Sequence, residues 1–285
     1  MKYDLLIADP AKNITAFVLN QTPPGARAAL SAAILSDPAL GAEQAGFVIP
    51  PGRRGNRRWR LEMMGGEFCG NAARSFGLYV AGKTGLHGRH TVVIESSGAA
   101  APVPVRVDTE TGRAEAEIPG PRLITALDFE GRALTVCVFE GITHVLAPGL
   151  EPDRESFFAV KAAFERNAAA LPGAFGVLFA GPPLARAEGG ASFPGGADDA
   201  ITPAVYVYGT DSLVFESSCG SGSAALAVCK SRPLADGEAR YRIGQPGGII
   251  ETRVVKRAGA AVSVAIGGPV TFRELVWEWP AALYS

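Results

Sequence analysis

The sequence has no run of apolar residues approaching eighteen in a row, no excess of either charge, and few histidines and cysteines. The first absence argues against a membrane-spanning helix. Lys and Arg number 27 against 28 Asp and Glu, a net charge of −1, so no basic field draws the chain to nucleic acid or anionic lipid. The opening Met-Lys-Tyr-Asp-Leu-Leu-Ile-Ala-Asp lacks the long apolar core of a secretory signal, which leads us to expect a cytoplasmic protein. Its four cysteines, Cys69, Cys137, Cys219 and Cys229, include no Cys-x-x-Cys, so neither zinc spacing nor a disulfide framework is indicated and free thiols are expected. The three histidines, His87, His90 and His144, do not pair at helical ligand spacing around a glutamate, and two fall in a predicted loop after the first small-residue helix. No metal site is expected. Gly220-Ser-Gly222-Ser lacks the Gly-Lys-Ser/Thr ending of a phosphate-binding loop and the wider glycine spacing of a dinucleotide fingerprint.

What the chain does have is apolar content, 47% of 285 residues, enough for one large or two ordinary cores. Runs rich in Val, Ile and Phe predict strands at 3–8, 14–19, 45–49, 57–63, 91–96, 103–108, 113–118, 133–139, 143–147, 175–180, 203–208, 249–255 and 261–266. Helices are predicted at about 24–35, 70–81, 153–169 and 220–230. Gly/Pro-rich stretches at 51–56, 181–197 and 244–248 read as turns or loops. The fold class is α+β with much strand.

One internal echo stands out. Glu67-Phe-Cys69-Gly-Asn-Ala-Ala-Arg and Glu216-Ser-Ser-Cys219-Gly-Ser-Gly-Ser-Ala-Ala each place a Cys-Gly pair after a strand and before a small-residue helix. Such a repeat suggests two similar halves, each presenting one cysteine. A helix N-terminus offers unpaired N–H groups and the positive end of a dipole, which favours a thiolate and binds a carboxylate. Glycine lets a ligand approach the backbone, and Asn71 or Ser221 adds a polar group to the first turn. Two such turns facing one another would hold an amino acid's α-carboxylate between them, one sulfur on each side of Cα. One thiolate removes the α-proton, the opposite thiol delivers another, and configuration inverts without pyridoxal phosphate or metal. The alternative is that the cysteines are small core residues. Cys137, in the apolar run Leu134-Thr-Val-Cys-Val-Phe, and Cys229, deep in the last helix, are expected to be packing residues of that kind.

The stretches "EFCGNAARSFG" and "SCGSGSAALAV" resemble the two active-site motifs of the diaminopimelate epimerase family of two-cysteine racemases. "PAKNITAFVL" (10–19), "AEQAGFVI" (42–49), "GITHVL" (141–146) and "QPGG" (245–248) extend the resemblance in the same order along the chain. It implies two pseudo-symmetric lobes, each a curved mixed sheet wrapped around a central helix, the first 1–121 rejoined by 266–285 and the second 122–265. Carried over by position, it implies that Cys69 and Cys219 are the acid/base pair. Gly70, Asn71, Gly220 and Ser221 would then donate to the α-carboxylate, and Asn13 and Gln44 would line the pocket. No cofactor is implied, and the only partner required is an amino-acid substrate; a homodimer is left open.

The departures bear on the substrate. Diaminopimelate epimerases carry a Glu-Arg pair ahead of the second cysteine, whose arginine grips a distal carboxylate; here Thr210-Asp211 stands there, and Gly141-Ile142-Thr143-His144 replaces Gly-Asn-Pro-His. Losing a bidentate clamp argues against diaminopimelate unless Arg74 or Arg186 replaces it. "ESSCGSGS" is similar instead to the second motif of the histidine racemases of opine-type metallophore synthesis. In that reading a carboxylate, Glu43, Glu62, Asp211, Glu67 or Glu216, meets a basic or imidazole side chain, the favoured two, Glu67 and Glu216, each preceding a reactive turn. They also suit backbone capping. A non-catalytic binding protein on the same scaffold is the remaining alternative.

Overall fold

A computed structural model describes residues 1–52, 57–181 and 196–279. The elements run β1 (Lys2–Asp9), β2 (Thr15–Val18), α1 (Pro24–Ser36), β3 (Gln44–Ile49), β4 (Arg60–Met63), α2 (Gly70–Lys83), β5 (Arg89–Ser96), β6 (Val103–Asp108), β7 (Arg113–Ile118), β8 (Leu123–Phe129), β9 (Arg132–Val138) and β10 (Ile142–Leu146). They continue with α3 (Arg154–Asn167), β11 (Ala174–Ala180), β12 (Asp199–Val207), β13 (Ser212–Phe215), α4 (Gly220–Ser231), β14 (Gly237–Gln245), β15 (Gly248–Arg257), β16 (Ala260–Pro269) and β17 (Thr271–Glu278). The class is mixed α+β. Two compact units divide it, one of Met1–Glu117 with Gly267–Ser285, the other of Ile118–Ile266.

In the first unit β1 pairs antiparallel with both β17 and β2. Then β2 runs parallel to β3, β3 antiparallel to β4, β4 parallel to β5, and β5 antiparallel to β6. The second unit repeats that order of pairings: β9 antiparallel to β10, β10 parallel to β11, β11 antiparallel to β12, β12 parallel to β14, β14 antiparallel to β15. In both, one helix (α1 or α3) bridges the first parallel pair and one (α2 or α4) the second, as parallel strands require a crossover.

The two crossover helices that follow cysteines are apolar or small all round, the signature of a helix buried on every side. Ala72, Ala73, Phe76, Leu78, Val80 and Ala81 of α2 pack with Leu61, Ile94 and Val105. Ala224 to Val228 of α4 pack with Leu178, Ile201, Ile243 and Val254. Helices α1 and α3 bury one stripe each, Leu30, Ala33 and Ile34 in the first and Phe157, Val160 and Ala163 in the second. Arg74 is also fully buried in α2; its Nη1 donates to the carbonyls of Gly268 (3.0 Å) and Pro269 (3.3 Å), so the returning C-terminal segment supplies acceptors to its guanidinium.

All four expected helices form, each within two residues of its expected ends. Four strands were not expected, β8, β13, β14 and β17. In β14 the exposed Glu238, Arg240 and Arg242 alternate with Ala239, Tyr241 and Ile243, and in β17 only Leu275 and Trp277 turn inward. Their charge conceals a period of two. His90, expected in a loop, lies on β5, and the 244–248 turn is a tight hairpin joining Gln245 to Gly248. Most of the expected loops 51–56 and 181–197 lie outside the described residues.

Helix α2 sits so close to β6 that a Cβ on Gly77 would stand 2.6 Å from Val105. Gly77→Val is therefore expected to destabilise the protein by about 1–3 kcal/mol, the cost of overpacking, read as a lower urea midpoint, with Val105→Ala partly restoring it.

Candidate active site

Both cysteines of the repeated turn occupy the N-cap position of a buried helix. Cys69 is extended (φ −119°, ψ 114°) and its Sγ accepts from the Ala72 N–H at 3.5 Å. Cys219 matches it (φ −125°, ψ 113°), accepting from the Gly222 N–H at 3.4 Å. A thiol thus does what a Ser or Asp side chain ordinarily does at this position.

Around Cys69 a set of amides converges. Gln44 Nε2 lies 3.3 Å from Cys69 Sγ and 3.0 Å from both Asn13 Oδ1 and Thr15 Oγ1, its neighbour across the β2/β3 register. Asn71 Nδ2 also donates to Asn13 Oδ1, at 3.3 Å, while Asn13 Nδ2 donates to Glu43 Oε2 at 2.9 Å. Asn13 follows a turn in which Ala11 and Lys12 both take positive φ (67° and 63°), with the Lys12 N–H bonded to Asp9 Oδ1 at 2.7 Å. The segment leading into Cys69 is held by Ser97, whose Oγ donates to the Glu67 carbonyl (2.9 Å) and accepts from the Met63 N–H (2.8 Å). Gly98, at φ 67°, closes on the same segment; a Cβ there would lie 2.3 Å from the Phe68 nitrogen.

Cys219 is fixed by different residues in the same manner. Its N–H donates to Gln245 Oε1 (2.7 Å), Gln245 Nε2 donates to Ser223 Oγ (2.8 Å), and Gly247 N–H donates to the Ser217 carbonyl (2.7 Å). Ser221 Oγ lies 3.5 Å from Cys219 Sγ and 2.8 Å from His144 Nε2. His144 is fully buried, and its Nδ1, against the backbone of Gly176, has no hydrogen-bond partner. A buried orphan donor costs more than a bare acceptor, which puts the ring proton on Nε2. That proton goes to Ser221 Oγ, freeing the hydroxyl to donate to the cysteine. This His144–Ser221 bond was not foreseen; the only signal was a lone histidine in an apolar strand.

The expected depression of the thiol pKa values is overturned. Burial pushes Cys69 up, against the opposing donors Ala72, Gln44 and Asn71. Cys219 is pushed well up, first by burial and then by the Glu216 carboxylate, with the Ser221 hydroxyl pulling the other way. Loss of water outweighs the helix dipole. The expected ligands also prove partly committed: the Asn71 side chain is taken by Asn13 and by Arg74 Nε (3.1 Å), and the Ser221 hydroxyl by His144. Their backbone N–H groups, with those of Gly70 and Gly220, form the first helical turns. Glu67 and Glu216 each act electrostatically on the cysteine of their own turn. Glu43 instead bonds Asn13, Glu62 pairs with Arg27 and Arg60, and Asp211 accepts from the Tyr206 hydroxyl. Arg74 is spent on backbone carbonyls, which removes it as a distal clamp, and Arg186 lies outside the described residues. Among the described residues no group of three or more His, Cys, Asp or Glu could hold a metal, and no helix is long and apolar enough to cross a membrane.

A family model described as the histidine racemase CntK N-terminal domain matches residues 3–273. The chain belongs to this family. It is accordingly an isomerase, an amino-acid racemase. A histidine racemase of Fusobacterium nucleatum subsp. nucleatum is 27% identical over 260 residues, covering 87% of this chain and 88% of that protein. In fold it is similar to a PhzF-family phenazine biosynthesis protein of Bacillus anthracis (TM-score 0.66, 12% identity, 98% and 99% of the two chains). It is also similar to a probable proline racemase of Agrobacterium radiobacter K84 (TM-score 0.61, 15% identity, 99% and 94%).

Burial lowers the His144 pKa to about 3. The unfolded chain takes up this proton near pH 6.5 and the folded chain does not, so between those values folding excludes a proton and stability falls as pH falls. The unfolding free energy of the wild type, measured by urea titration, is expected to drop more steeply from pH 6 to pH 4 than that of His144→Gln, by up to roughly 1.4 kcal/mol per pH unit.

Proposed function

We propose that this racemase inverts Cα of histidine or a closely related amino acid by a two-base thiol mechanism, with Cys69 and Cys219 as the acid/base pair and no cofactor. The observation that carries the reading is the matched pair of N-cap thiols, each set on the first-turn N–H groups of a buried helix. In this reading the two units act as pseudo-symmetric lobes, a view supported by their common order of strand pairings. The substrate lies between the two turns. Its α-carboxylate accepts from the backbone N–H groups of Gly70, Asn71, Gly220 and Ser221, which places positive ends of dipoles where charge grows as the α-proton leaves.

One cysteine starts as thiolate and takes the proton; the other starts as thiol and gives its own to the opposite face. Gln44 and the Ser221 hydroxyl stabilise the charged sulfur, and a thiolate of raised pKa is the stronger base for a weakly acidic C–H. Histidine as substrate is supported by the family and the named relative, and by the commitment of Arg74, which leaves no described arginine on the first turns to grip a distal carboxylate. Glu67 and Glu216, each beside its own cysteine, are the carboxylates offered to an imidazole. A cytoplasmic setting suits free thiols.

The test is incubation of the reduced protein with L-histidine and with LL-diaminopimelate in D₂O, following loss of the Cα–H signal and chirality. Histidine alone is expected to exchange and invert, and Cys69→Ala or Cys219→Ala to lower inversion by at least about 10²-fold, the typical contribution of a general acid or base; a normal rate in either variant refutes the mechanism. Because Ser221 opposes the rise in the Cys219 pKa, Ser221→Ala is expected to move the acidic limb of the kcat/KM profile to higher pH.

A further inference from the structure

The two cysteines assigned to packing meet each other. Cys137 on β9 and Cys229 on α4, 92 residues apart in sequence, have their sulfurs 3.3 Å apart, both as free thiols. Cys137 is fully buried and Cys229 half-buried, so Cys229 is the residue of the pair with access to solvent, and Cys137 lies in contact with it.

We propose that Cys229 and Cys137 form an oxidation site for a hydroperoxide, Cys229 being the sulfur attacked and Cys137 the thiol that resolves it into an intramolecular disulfide. The inference stands apart from the reaction proposed above. The Cys229 thiolate attacks the peroxide oxygen; an S–O bond forms, the O–O bond breaks, and the alcohol or water leaves with a proton. The sulfur, now a sulfenic acid, is attacked by Cys137; the S–S bond forms, the S–O bond breaks, and hydroxide leaves as water with the Cys137 proton. In sum two thiols and ROOH give a disulfide, ROH and water. The order follows from access, Cys137 being fully buried and Cys229 half-buried, and the nearby Arg232 charge favours a thiolate in the pair.

The position of the link gives it a consequence. Cys137 stands directly opposite His144 in the β9/β10 register, and His144 already holds Ser221 in the first turn of α4. The disulfide fastens the same helix to the same place in the sheet about 12 Å further along, at 1.5 Å per residue. It leaves the Cys219 sulfur untouched.

The test treats the reduced full-length protein with hydrogen peroxide and maps linkages by mass spectrometry under non-reducing conditions. A Cys137–Cys229 peptide pair is expected, with a melting temperature that rises on oxidation and returns on adding a thiol reductant. In Cys137→Ser a sulfenic acid is expected to accumulate on Cys229, trapped by a cyclic 1,3-diketone, and the rise in melting temperature to vanish. In Cys229→Ser the Cys137 thiol should stay reduced. The proposal is overturned if both thiols remain free to alkylation in the unfolded digest after peroxide has oxidised Cys69 or Cys219. It is overturned equally if Cys137 is oxidised as fast without Cys229.

Discussion

A helix buried on all sides must find acceptors for its first N–H groups without help from water, and in both units of this chain the acceptor is a cysteine sulfur. That requirement organises what surrounds it. The residue carrying the sulfur must be extended, so the segment ahead of it is clamped, by Ser97 and Gly98 in one unit and by Gln245 and Gly247 in the other. The helix behind it must approach the sheet closely, so glycine stands where a strand side chain meets the helix: Gly77 against Val105, and Gly222 against Leu178, where a Cβ would lie 2.7 Å from the leucine. In the proposed mechanism, capping and chemistry share one atom.

Much of this was legible in the residues. Pro24 at a helix start, the Asp153 cap and the small-residue runs after each Cys-Gly mark all four helices, and the repeated turn pointed to the two sulfurs. Family motifs brought in Asn13 and Gln44, which do lie in contact with Cys69. What escaped was of another kind. The Ser97–Gly98 clamp joins residues some thirty positions from the cysteine and has no periodic signature. The His144–Ser221 bond spans 77 positions. Sequence spacing along a helix reveals which donors face a sulfur, but whether water reaches it depends on the whole packing around the turn, and so the direction of the thiol shift could not be read from the dipole alone.

The polar residues of the first unit show how far a buried site can be used up by its own support. Asn13 accepts from Gln44 and Asn71 and donates to Glu43, so the segment before β2, the start of β3 and helix α2 are tied through one side chain. Such a network is satisfied only as a whole. It orients the amides near Cys69 instead of leaving them to search for a ligand, which lowers the ordering cost that binding must meet.

The return of the C-terminal segment bears on the order in which the chain matures. β1, formed by the first nine residues, is paired along its length with β17, and the charge of Arg74 finds its carbonyl partners only at 268 and 269. A ribosome therefore releases the contiguous second unit while the first still lacks an edge strand and the partners of a buried guanidinium. Although its first strands precede the whole second unit in the chain, the unit bearing Cys69 is the last to be completed, and until then its first strand must be kept from pairing with another chain.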